Sequence, residues 1–161
     1  MRLLDSSLYN ADLKKAVSSI DLSSLNGKSF FITGGLGLIA STVVDVLLTY
    51  EKTGIIYIGA RNKEQFVKRY GNRERVRFVS YDALKPLKLE NVPDYIIHSA
   101  GLASPELYTS MPVETVLSNI NGIHELLRFA KNNLVKRVLY ISSSEVYGKK
   151  STEKPFVEDQ Y

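Results

Sequence analysis

Short apolar runs alternate with helical patterns along this chain, and that alternation limits its fold more than any other feature. Ser29–Thr33 (SFFIT), Ile55–Ile58 (IIYI), Val76–Ser80 (VRFVS), Asp94–His98 (DYIIH) and Arg137–Ser142 (RVLYIS) read as short strands. Leu38–Tyr50, a charged segment from about Asn62 to Tyr70, and Pro112–Asn132 read as helices. In the last of these, Val116, Ile120, Ile123, Leu127 and Ala130 lie near one face. Asp82–Pro93 is too short and Pro-broken for a long helix and reads as a turn with one helical turn. Strands separated by helices argue for a parallel sheet covered on both faces. The right-handed crossover rule makes this an α/β fold, a Rossmann-type doubly wound sheet in three α/β/α layers.

Ahead of the first strand, residues 1–26 form a helical leader, and 27–161 form the sheet domain. Leu3, Leu4, Leu8, Leu13, Val17 and Ile20 recur at roughly helical spacing. That helix either packs on the domain behind it or serves as a dimerisation or partner helix. Asn26-Gly27 reads as the turn into the first strand.

Composition removes several classes. The 161 residues, 44% hydrophobic, suffice for one core. A net charge of +4 is too small and scattered for a nucleic-acid footprint. The basic cluster from Lys63 to Arg77 is interleaved with Glu64 and Glu74, as on a solvated face. With no cysteine and 2 His, disulfide scaffolds and cysteine metal sites drop out and a zinc enzyme is disfavoured. No apolar run approaches the roughly 18–20 residues that span a bilayer. No secretory signal pattern opens the chain, so the expected setting is cytoplasmic.

Thr33-Gly34-Gly35-Leu36-Gly37-Leu38-Ile39-Ala40 follows a strand and opens a helix. Gly35, Gly37 and Ala40 satisfy the G-x-G-x-x-[G/A] spacing of dinucleotide-binding loops. Small residues there allow a tight turn, close approach to the pyrophosphate and close helix–strand packing, with helix-start amides facing the phosphates. A Walker A reading fails, since Gly27-Lys28-Ser29 precedes the strand. The acidic partner for the ribose diol of NAD is missing. Gly59 or Ala60 occupies its place, and Arg61 follows. An arginine there can meet a ribose 2′-phosphate, so the cofactor reading leans to NADP over NAD. If Arg61 instead faces solvent, the site takes either.

Together with motifs further along, the loop resembles the amino-terminal part of the extended short-chain dehydrogenase/reductases, in the NAD-dependent epimerase/dehydratase family that modifies nucleotide-linked sugars. The resemblance covers about residues 27–160. It rests on Thr33–Ala40, Asp82-Ala83, His98-Ser99-Ala100-Gly101-Leu102-Ala103, Asn119-Ile120-Asn121-Gly122 and Ser142-Ser143-Ser144-Glu145-Val146-Tyr147-Gly148. The family more often has glycine at Ala40 and alanine at Gly101.

The resemblance implies a cofactor site built from Thr33, Gly34, Gly35, Gly37, Leu38, Ile39, Arg61, Asp82, Ala83, Ser99, Ala100, Gly101, Leu102, Asn119 and Ser142. Within it, Asp82 would cap the adenine amino group. Ser99–Leu102 would line the pyrophosphate and nicotinamide ribose, and Asn119 would steady the central strands. Ser143, matching dehydratase and decarboxylase members, or Ser144, matching epimerases, would bond the sugar hydroxyl that is oxidised. Glu145 matches an acidic residue of dehydratases and decarboxylases. Tyr147 reads as a structural aromatic, and His98 as a positioning or core histidine.

The family's base is a tyrosine in Y-x-x-x-K, about 24 to 27 residues beyond the Ser/Thr. Tyr161 comes too early by spacing, and a match would begin near residues 167 to 170. The expectation is therefore the cofactor-binding part of an enzyme roughly twice as long, cut before its last strands and expected to lack turnover alone. The implied substrate is a nucleotide sugar. A homodimer pairing through Pro112–Asn132 is one open partner, and a non-catalytic dinucleotide-binding protein of the same fold is the alternative function.

Overall fold

The computed structural model describes residues 3–71, 73–102, 104–148 and 155–158; Ala103 and Tyr161 lie outside them. Five strands form one parallel sheet in the order β3-β2-β1-β4-β5. They are β1 (Phe30–Thr33), β2 (Ile56–Ala60), β3 (Val76–Ser80), β4 (Tyr95–His98) and β5 (Arg137–Tyr140). The helices are α1 (Ser7–Ser18), α2 (Leu38–Tyr50), α3 (Lys63–Tyr70), α4 (Pro105–Ser110) and α5 (Pro112–Asn132). The sheet is the doubly wound Rossmann type. After β1 the chain winds outward to β2 and β3, then returns to place β4 on the other side of β1. The loops after β1 and β4 diverge at this reversal and open a crevice above the strand ends.

All four residues of β1 are buried, because both its faces are covered. Phe30, Ile32, Ile56, Ile58 and Val76 pack under Ala40, Val44 and Leu47 of α2 and Phe66 and Tyr70 of α3. On the opposite face, Phe31 and Ile96 meet Tyr81 and the α5 residues Leu126 and Ala130. Gly59 is a packing necessity here, since a Cβ on it would lie 2.9 Å from the Phe31 ring.

Element ends differ slightly from the pattern. Asn62 is the cap of α3, its side-chain oxygen accepting the Gln65 N–H at 2.9 Å. β2 runs on to Ala60, while β5 stops at Tyr140. α4 and a 3-10 turn over Ser144–Tyr147 have no periodic signal.

α5 reverses the expected orientation of an amphipathic helix, which ordinarily turns its apolar stripe to the core. Val116, Ile120 and Leu127 are exposed, Ile123 is half-buried, and Ala130 alone of the predicted face is buried. The buried side is Thr115, Ser118, Gly122, Leu126 and Ala130. The cause is close approach: a Cβ on Gly122 would lie 3.1 Å from the Ala83 Cβ. Apart from Leu126, small residues therefore face the sheet, while Val116, Ile120 and Leu127 face away.

The leader helix α1 packs on α2, burying Leu13 while Leu8 and Ile20 stay exposed. The Tyr9 hydroxyl donates to Asp45 Oδ2 at 2.8 Å, and an Arg69 guanidinium nitrogen donates to the same oxygen at 2.6 Å. Asp45 is wholly buried, so three helices meet at one carboxylate. Burial pushes its pKa up, against the opposing pull of Tyr9 and Arg69.

At the opposite end of the sheet, Asp94 ties β1, β4 and β5 together. It accepts the Ser29 N–H at 2.9 Å and hydroxyl at 3.0 Å, and pairs with Lys136 at 2.6 Å. Lys136 and Ser29 hold the carboxyl down at about 2. The folded pKa lies below the ordinary 3.8, so this stabilisation is complete above 3.8 and disappears as pH falls toward 2. In Asp94→Asn the chain should lose about 1 kcal/mol at neutral pH, the water around Lys136 screening the pair, and nothing near pH 2. Urea unfolding at both pH values checks it; an equal loss at both would refute the assignment.

Candidate functional site

Above the carboxyl ends of the central strands lies a cleft of about 570 Å³. Its walls collect Gly34, Leu36 and Gly37 from the loop after β1, Gly59, Ala60, Arg61, Asn62 and Gln65 from the β2–α3 corner, and Tyr81–Leu84 after β3. Ser99–Leu102 after β4 and Ser118 of α5 complete them. Segments distant in sequence thus converge where the strand order reverses.

The glycine loop is shaped by contacts on each side. Gly34 has φ +68, and a Cβ on it would sit 2.9 Å from the Ser99 carbonyl carbon and oxygen. Its N–H donates to Gly59 O at 2.9 Å, and the Gly37 N–H closes the turn on Gly34 O at 2.8 Å. Gly37 caps α2 in extended conformation without a side chain, so the first amides of that helix stand open toward the cleft. Gly35 faces away from it. A Cβ there would meet Ile58 Cγ2 at 2.8 Å, and its carbonyl accepts the Tyr70 hydroxyl at 2.9 Å.

Of the residues predicted for the cofactor, Gly34, Gly37, Arg61, Asp82, Ala83, Ser99, Ala100, Gly101 and Leu102 line the cleft. Leu38 and Ile39 start α2 and are 88% and 61% exposed, at the rim rather than in the lining. Thr33 is fully buried beneath the loop. Its hydroxyl accepts the Ser99 and Ala100 N–H groups at 3.3 and 3.2 Å and contacts His98 Nδ1 at 2.6 Å. Asp82 accepts the Leu84 N–H at 3.0 Å and pairs loosely with Lys85 at 3.6 Å. Arg61 is exposed at the mouth.

Asn119 stands behind the loop after β4. Its amide donates to Thr115 O at 2.9 Å, and a Cβ on Gly101 would fall 2.6 Å from its Oδ1. That contact gives the physical reason for glycine at 101. Ser142, Ser143, Ser144 and Glu145 follow β5, exposed and outside the cleft lining. Ser143 Oγ caps the 3-10 turn by accepting the Glu145 N–H at 3.2 Å. Tyr147 stacks on Phe156 with ring centroids 5.1 Å apart, as a structural aromatic would.

Leu36, Gln65, Tyr81, Leu84 and Ser118 were not singled out by sequence reasoning. Tyr81 directly follows β3, and position after a strand end is the signal that could have found it; Gln65 lies in the first turn of α3.

The residues present fit a dinucleotide. The cleft has a backbone cradle that a Cβ at Gly34 would fill, a helix start beneath it, a cation at one mouth and a carboxylate beside it. Among the described residues no cluster of His, Cys, Asp and Glu could hold a metal ion, and no helix is long and apolar enough to cross a membrane.

Comparison with known proteins agrees with this geometry. UDP-glucuronic acid decarboxylase 6 of Arabidopsis thaliana is 35% identical over 122 residues, covering 73% of this chain and 34% of that protein. UDP-glucuronic acid decarboxylase 1 of Danio rerio is 34% identical over 132 residues, covering 79% and 30%. The chain thus spans about a third of the length of the curated relatives it matches. A UDP-N-acetylglucosamine 4-epimerase from Methanobrevibacter ruminantium superposes with TM-score 0.70 at 27% identity, covering 84% of this chain and 44% of that one. A dTDP-glucose 4,6-dehydratase from Streptomyces venezuelae shares the fold at TM-score 0.65 and 22% identity, covering 76% and 42%. The model of the NAD dependent epimerase/dehydratase family matches residues 30–161, and the chain belongs to that family.

Proposed function

We propose that residues 27–161 are the cofactor-binding domain of a nucleotide-sugar-modifying enzyme, preceded by the leader of residues 1–26, and that this enzyme transiently oxidises a sugar hydroxyl. The observation that carries the reading is the convergence of Gly34, Gly37, Arg61, Asp82 and Ser99–Leu102 on one cleft. A nicotinamide dinucleotide bound there would supply the hydride acceptor.

The amides around Gly37 would hold the pyrophosphate, Asp82 the adenine amino group, and Ser99–Leu102 the middle of the molecule. Ser143 or Ser144 would orient the sugar hydroxyl, a task within reach of a hydroxyl that cannot itself abstract the proton. Glu145 would serve in acid–base chemistry. The decarboxylase relatives support a UDP-linked sugar as the substrate class. The exposed stripe of Val116, Ile120 and Leu127 supports a second copy of the chain as its cover. A cytoplasmic setting belongs to the same reading.

NADP is the preferred form in this proposal, supported by Arg61 at the mouth and by the absence of an acid at Gly59 and Ala60. Fluorescence titration tests it. NADPH should bind more tightly than NADH, and Arg61→Ala should weaken NADPH about tenfold while leaving NADH nearly unchanged, one charge-assisted contact being lost. Equal loss for both removes the NADP preference. No binding of either at millimolar concentration removes the cofactor reading.

A further inference from the structure

Two buried polar atoms beside the cleft have no hydrogen-bond partner among the described residues: the Tyr81 hydroxyl and His98 Nε2. Both look into the same notch. A Cβ placed on Gly122 would lie 3.3 Å from each of them, so the two atoms are within twice that distance of one another. Glycine at 122 keeps a side chain out of the junction between β4, the segment after β3, and α5.

The proton on His98 can be assigned from its other side. Thr33 Oγ1 accepts the Ala100 amide and shares the Ser99 amide with the Thr33 carbonyl, so its lone pairs face N–H donors. Its single proton is then directed at His98 Nδ1, 2.6 Å away. Nδ1 is therefore the acceptor, and the ring proton sits on Nε2, pointing toward the notch. Burial pushes the imidazole pKa down to about 4, so the ring is neutral at neutral pH. A buried N–H with no acceptor is costly, and a water touching two or more polar groups removes that cost.

We propose that one internal water in the Gly122 notch bridges His98 Nε2–H to the Tyr81 hydroxyl, and that His98, locked in this tautomer, is a positioning residue for the loop after β4. The chain of contacts runs from Tyr81 through the water and His98 to Thr33, and ends on the Ser99 and Ala100 amides that line the cleft. The positioning role rests on the cofactor reading above; the tautomer and the water do not.

Both are read by NMR in the ligand-free chain labelled with ¹⁵N. Nδ1 should appear unprotonated and Nε2 protonated, unchanged over roughly pH 5–8. The Nε2 proton should give a cross-peak to a long-lived water, and that peak should vanish in Gly122→Ala. If Gly122→Ala fails to fold, Tyr81→Phe should remove the peak instead, since it deletes only the hydroxyl. A proton on Nδ1, an imidazolium, or a missing water peak in the unaltered chain overturns the proposal.

For the positioning role, His98→Leu should weaken NADPH binding about tenfold. His98→Asn returns an acceptor near the place of Nδ1 and should recover most of that loss. Unchanged affinity in His98→Leu overturns this part. An unaltered chain that binds no dinucleotide refutes the cofactor reading but leaves the NMR result standing.

Discussion

Gly34→Ala is expected to abolish dinucleotide binding and to destabilise the chain by about 3 kcal/mol, through left-handed strain together with overpacking. The backbone at Gly34 has φ +68, where an L side chain is strained. A new Cβ would also meet backbone on the far side, the Ser99 carbonyl at 2.9 Å and the Ala100 nitrogen at 3.0 Å. Those atoms belong to the strand-end loop that Thr33 staples in place, so they cannot swing aside like a side chain. Gly27 is the internal control, because it has the same φ of +68 and a Cβ added there would meet nothing within 4 Å. Gly27→Ala should cost only about 1 kcal/mol, the conformational part alone. Urea denaturation and NADPH titration of both variants separate the two contributions. Equal losses would refute the claim that contact with the Ser99 loop makes glycine necessary at 34.

Arg69→Met should destabilise the chain by about 3 kcal/mol at neutral pH, because it leaves the Asp45 carboxylate buried without its cation. Asp45 is fully buried, and its second oxygen, Oδ1, has no hydrogen-bond partner among the described residues. Burial already raises its pKa above 3.8. A raised carboxyl pKa means the folded state holds the proton more firmly, so this site's contribution is greatest at low pH and is lost as pH rises through the folded pKa. Removing Arg69 raises that pKa further, so the penalty should be larger at pH 7 than near pH 5. Tyr9→Phe deletes one hydrogen bond and should cost about 1 kcal/mol. Denaturant midpoints at the two pH values decide it. A penalty independent of pH would show that Asp45 is not the charged group left stranded.

The sheet is legible in the sequence because each strand is a short apolar run with its own boundary signal, and a parallel sheet requires burial on both faces. Asn62 shows how fine that legibility is: the residue that begins the charged helical pattern is its cap. The cleft is legible because its chemistry sits at strand ends, where the glycine loop, Asp82-Ala83 and Ser99–Leu102 fall in order.

What periodicity missed is the direction of α5. It weighs hydrophobicity, while the distance between helix and sheet selects for size, and Ser118 and Gly122 win the inner face although Val116 and Ile120 are more apolar. The buried Asp45 is hidden for a related reason. It lies in an apolar helix whose two polar partners, Tyr9 and Arg69, come from other elements, and nothing local announces their meeting. The Ser143–Glu145 string is recognisable as a motif, yet it stands exposed beyond the cleft lining, so its role rests on resemblance more than on geometry.

The strand order also bears on how the chain is made. β1 is central, and its second neighbour, β4, begins some 65 residues later, as the Ser29–Asp94 separation shows. A ribosome adding roughly 5–20 residues per second takes about 3–13 seconds to cover that interval. Until β2 is made β1 has no strand partner, and from then until β4 is made it can pair with β2 alone. This sheet's most apolar strand thus emerges early and is completed late, so chaperone dependence during synthesis should be governed by the β1–β4 gap rather than by the stability of the finished fold.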